Sequence, residues 1–88
     1  MKIKEDFVLR QIADTWAVLP LGSATLDFNG MMTVNETGAL LWQKIEGGCT
    51  KEELISLLTS EYDVTNEEAE ADVYDFIAKL KTVDCIEL

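Results

Sequence analysis

"TVNETGALLWQKIEGG", residues 33–48, decides the fold. An alternating run, Met31–Val34, stops at Asn35. A short segment, Glu36–Gly38, follows, and apolar side chains then recur every three or four positions until Gly47-Gly48. Alternation marks a strand and the longer period marks a helix, so the chain passes from one to the other with no linker. Asn35 ends the strand and is a good N-cap, because its side chain accepts from N–H groups that a first helical turn leaves unpaired. Glu36 stands at the positive end of the helix dipole. Gly38, Leu41, Trp42 and Ile45 share one stripe, with Leu40 on its flank. A glycine inside a helix costs up to about 1 kcal/mol relative to alanine. Its place on the apolar stripe therefore calls for a close neighbour, expected to be a ring or backbone of the same fold.

Upstream of this junction the chain reads as strands. Phe7–Ile12 places Val8, Arg10 and Ile12 on one face and Phe7, Leu9 and Gln11 on the other. Ala13-Asp14 is a plausible tight turn, and Thr15–Leu21 returns from it. Pro20 cannot donate a ladder hydrogen bond, so the strand ends there or lies on an edge. Asn29-Gly30, between Thr25–Phe28 and Met31–Val34, is a preferred pair for a type I′ hairpin.

Downstream the chain reads as helices. Thr50 with Glu53 and Thr65 with Glu68 are capping boxes that start the second and third helices. The second buries Leu54, Leu57 and Leu58, joined by Ile55; the third buries Ala69, Val73, Phe76, Ile77 and Leu80. Residues 83–88 read as a short extended tail. A three-stranded antiparallel sheet followed by three helices is an α+β domain, expected to span residues 1–88. Two short helices joined by a glycine turn, then a longer third, resemble a helix-turn-helix unit beside a sheet.

Composition removes several function classes. The chain has 88 residues and a net charge of −10. Residues 1–44 carry four basic against five acidic side chains, and residues 45–88 carry three against twelve. Such an acidic half repels phosphate backbones and attracts basic peptides, or simply stays solvated. The third helix, which would read DNA, holds five carboxylates and no basic residue between Glu67 and Asp75. Nucleic acid is not an expected partner. With no histidine the usual general base is missing, and neither a catalytic nor a metal site is expected. Cys49 and Cys85 read as reduced thiols. No run of about 18 apolar residues marks a membrane span, and "MKIKEDFVLR" lacks the apolar core of a signal peptide. A cytoplasmic setting is expected, with no membrane contact.

Asn35-Glu36-Thr37-Gly38 followed by Trp42, then Glu61-Tyr62-Asp63-Val64, then Glu70-Ala71-Asp72-Val73 with Phe76 and Leu80, together resemble the coenzyme PQQ synthesis protein D family. That family includes the precursor-recognition modules of ribosomally made, post-translationally modified peptides. The resemblance runs from about Phe7 to Leu88. It implies a winged helix-turn-helix fold, no cofactor, and a non-catalytic task. Such proteins hold the leader segment of a precursor peptide and present it to a partner enzyme, commonly a radical SAM enzyme. Pro20 is followed by Leu21, where PQQ-pathway members tend to be acidic, and this favours a system for another peptide.

The leader is then expected as a strand added beside Met31, Met32, Thr33 and Val34. Backbone hydrogen bonds would hold it, and alternate side chains would enter pockets. Methionines are polarizable and adaptable, although alternation leaves one of Met31 and Met32 for the core. On the third helix Ala71, Tyr74 and Ala78 form a second stripe off the core stripe, with room beside Tyr74 for a peptide side chain. Asp72 and Asp75 flank it and can meet basic leader residues or stay solvated. Trp42 is expected in the core. Two rival readings remain: a winged-helix transcription regulator, and a homodimer whose strand edges pair with each other.

Overall fold

A computed structural model describes residues 1–22 and 32–88. The expected strand Thr25–Phe28, the Asn29-Gly30 turn and Met31 lie outside the described residues, and the elements below are drawn from the described ones. β1 spans Lys2–Ile3, β2 Phe7–Ile12, β3 Thr15–Pro20 and β4 Met32–Val34. α1 spans Glu36–Glu46, α2 Lys51–Glu61, α3 Asn66–Thr82, and β5 Ile86–Glu87 closes the series.

β2, β3 and β4 form one antiparallel sheet in that order. Ile12 lies opposite Thr15, so Ala13 and Asp14 make a two-residue turn, with Ala13 at a φ of 55°. The register puts Phe7, Leu9 and Gln11 opposite Pro20, Val18 and Trp16, which makes theirs the inner face. Ile12, on the other face, is 48% exposed. Pro20 is the last residue of β3 and lies opposite Phe7 of β2, so the proline that cannot donate to a ladder stands at the strand's end.

The junction is built as its sequence dictates. Asn35 accepts from the Gly38 N–H at 2.8 Å. Gly48 leaves α1 at a φ of 82°, a left-handed geometry that favours glycine. Thr50 and Glu53 cap α2 reciprocally at 3.2 and 3.1 Å, and Thr65 and Glu68 do the same for α3 at 3.1 and 3.2 Å. The three helices bury one stripe each in a core shared with the inner face of the sheet, with α2 packed along α3. Trp42, Ile45, Leu54, Val73, Leu80 and Val18 are fully enclosed. On α2 only Leu54 and Leu58 are fully buried; Leu57 and Ile55 are half-buried at its margin. Among the described residues the indole N–H of Trp42 meets no acceptor, and a buried donor left so costs about 1–3 kcal/mol. Burial of a ring of that size contributes more, on the order of 4–6 kcal/mol.

Residues 83–88, expected as a tail, instead supply β5, which pairs with β1 (Ile3 opposite Ile86). Two short terminal segments cannot be recognised as strands until the fold brings them together. The Lys4 N–H donates to the Cys85 carbonyl at 3.0 Å, and the Lys4 ammonium meets Asp84 at 2.9 Å. Cys49 and Cys85 are free and buried, and burial pushes the Cys85 thiol up to about 11. Among the described residues no helix is long and apolar enough to cross a membrane.

Candidate functional site

The abrupt strand-to-helix switch brings three elements to one place. β4 ends at Val34, α1 begins at Glu36, and α3 passes alongside. Between them lies a groove of about 290 Å³. Val34, Asn35 and Gly38 line one wall; Asp72, Asp75 and Lys79 line the other; Phe76 and Leu41 also contribute.

Gly38 makes this shape possible. A Cβ there would sit 3.1 Å from Phe76 Cε1 and 3.1 Å from Val34 Cβ. Phe76 therefore lies close against the first turn of α1, and the neighbour that Gly38 admits belongs to the fold itself.

β4 shows alternation over its three residues. Met32 and Val34 are each 8% exposed and face the core, while Thr33 is exposed. Lys79, reaching from α3, donates its ammonium to the Thr33 carbonyl at 3.0 Å. Among the described residues β4 pairs with β3 alone, and no described strand covers its other side.

The expected site residues divide. Val34 lines the groove with Asp72 and Asp75, and the Thr33 carbonyl accepts from Lys79, which lines it too. Met32 packs inward opposite Val18, so its side chain serves the core. Tyr74 and Ala78 line a separate hollow of about 380 Å³ with Lys51, Ile77 and Lys81. There Tyr74 is 48% exposed, and the Lys51 ammonium lies 4.8 Å from its ring centre, a cation–π contact. Ala71 is exposed and lines neither hollow. The physical reason is helical phase: at about 100° per residue, Tyr74 lies roughly 160° around α3 from Asp72. One wall cannot present both.

Sequence reasoning passed over Lys79, Thr37 and Gly38 as groove residues. A signal for Lys79 existed. Asp72, Asp75 and Lys79 repeat the i, i+3, i+7 spacing of Ala71, Tyr74 and Ala78, one position along. Which flank of the core stripe turns to β4 depends on how α3 crosses the sheet, and spacing does not encode that.

A wider hollow of about 520 Å³ lies on another side of the junction, with Trp16 and Tyr62 among Glu36, Glu61, Asp14 and Gln43. Trp16 is half-buried there. The 290 Å³ groove is the stronger candidate because it combines an open backbone edge, an aromatic ring and charges of both signs.

The sequence profile of the coenzyme PQQ synthesis protein D family matches residues 15–86. No curated protein sequence matches the chain. Two solved structures are similar to it. One is TbiB1 in complex with the TbiA(beta) leader peptide, at 26% identity over 99% of this chain and 95% of that one, with a TM-score of 0.80. The other is lasso peptide synthetase B1 complexed with the leader peptide, at 25% identity over 92% and 89% of the two chains, with a TM-score of 0.74.

Proposed function

Since the chain belongs to the coenzyme PQQ synthesis protein D family, we propose that it holds the leader segment of a ribosomally made precursor peptide and presents it to a separate modifying enzyme. It binds and positions the peptide; the partner performs the chemistry. Both similar structures are leader-peptide complexes, which supports this reading. The leader adds as a strand along β4, with α3 as the opposite wall. The observation that carries the proposal is the exposed Thr33 edge of β4 beside the groove. Backbone pairing gives such a site affinity for many sequences, and the groove selects among them by alternate side chains. The partner enzyme is of the radical SAM class, and the work is cytoplasmic.

The test is a fluorescently labelled leader made from the precursor encoded beside this gene. It should bind the intact chain in a saturable way. Thr33→Pro removes one backbone donor at the centre of β4, and affinity should fall by about tenfold or more while the circular dichroism spectrum is kept. Unchanged affinity in a folded Thr33→Pro chain contradicts strand addition. A short DNA duplex at low salt should not be retarded by the chain, because the acidic α3 repels phosphate; retardation would favour the regulator reading.

A further inference from the structure

The hydrogen bond from Lys79 to Thr33 spans 46 residues of sequence and ties α3 to the middle of β4. Alternate residues of an antiparallel strand turn both their N–H and C=O toward the paired strand or away from it. Met32 and Val34 lie opposite Val18 and Trp16, and Thr33 lies opposite Ala17. The carbonyl that Lys79 reaches from α3 is that of Thr33, so Thr33 is the residue of β4 whose backbone turns to the groove. A strand added there needs this same carbonyl for its ladder.

Building on the leader-binding reading, we infer that Lys79 is an exchangeable latch that closes the β4 edge until a carboxylate of the leader takes its ammonium. In the free chain the ammonium satisfies the exposed acceptor, which also protects the edge from pairing with other chains. In the complex the Thr33 carbonyl accepts from a leader N–H instead. The freed ammonium then sits in a groove beside the Phe76 ring and an added strand, where a bond to a charged acceptor is strong. Lys79 is the cation of a wall whose other charges are Asp72 and Asp75. It therefore selects for Asp or Glu on the helix-facing side of the leader, against the general repulsion of an acidic protein. Asp75, one helical turn earlier, competes for the freed ammonium, so the latch discriminates modestly and does not exclude neutral leaders.

A double-mutant cycle tests this. The proteins are the intact chain, K79M and K79R. The probes are the synthetic leader of the adjacent precursor and the same leader with each Asp and Glu changed to its amide. The intact chain should prefer the acidic leader by about fivefold, K79R should keep the preference, and K79M should bind both within about twofold. K79M should also bind the amide leader more tightly than the intact chain does, because no latch must be displaced. In the free protein, K79M should move the Thr33 carbonyl ¹³C resonance. An equal acid preference in K79M, a weaker or unchanged amide-leader affinity, or an unmoved Thr33 carbonyl overturns the latch. In each of those cases the leader still binds, whereas failure of the acidic leader to bind the intact chain would overturn the leader-binding reading itself.

Discussion

Gly38 occupies a position where two demands conflict. Helix propensity favours alanine there by up to about 1 kcal/mol, while packing resists it: a new Cβ at 3.1 Å from Val34 and Phe76 requires a neighbour to give way. Val34 is held by β4 and cannot rotate its own Cβ away. Phe76 must shift, and it lines the groove. Overpacking of this kind costs about 1–3 kcal/mol. Gly38→Ala is thus expected to lower the urea midpoint slightly and to weaken leader binding about fivefold or more, a larger effect than the stability change alone implies. Urea titration and fluorescence anisotropy measure the two separately. A stabilised variant with unchanged affinity would show that Phe76 has room to move and that the glycine serves neither packing nor the groove.

At the scale of elements, local rules carried much of the fold. Each helix began where a capping side chain placed it, and the core stripe of α3 was legible from period alone, because a capping box and a 3.6-residue period are properties of a few adjacent residues. What escaped was non-local. β1 and β5 exist because the ends of the chain meet, and no feature of "KI" or "IE" announces it. The candidate groove was half legible for the same reason: β4 and two carboxylates could be read, but which face of α3 lies beside β4 could not. Tyr74, expected to contact the leader, lies against Lys51 of α2 and away from the groove of Asp72 and Asp75. The choice between the two faces of α3 can be checked directly. Tyr74→Ala should leave leader affinity within about twofold, whereas Asp72→Lys with Asp75→Lys should change both affinity and its salt dependence. The reverse pattern would place the peptide on the Tyr74 face.

The whole molecule reads as a scaffold that leaves one strand edge beside a helix. Helices and sheet share one core, and β1 and β5 pair its ends. Among the described residues, β2 and β4 are the two edges of the main sheet, and β4 is the one with a helix wall, a ring and a latch beside it. Its acidity, at a net charge of −10, fits a partner or peptide of mixed or basic character and disfavours nucleic acid. Its proposed function depends on a leader strand pairing with β4. Amide hydrogen exchange of the ¹⁵N-labelled chain, followed by NMR with and without saturating leader, tests it most directly. If the leader pairs there, the Thr33 amide slows by about tenfold or more on binding while the amides of Phe7–Ile12 are unaffected. A saturated complex in which Thr33 exchanges as it does in the free chain, or in which protection appears along β2 instead, would contradict it.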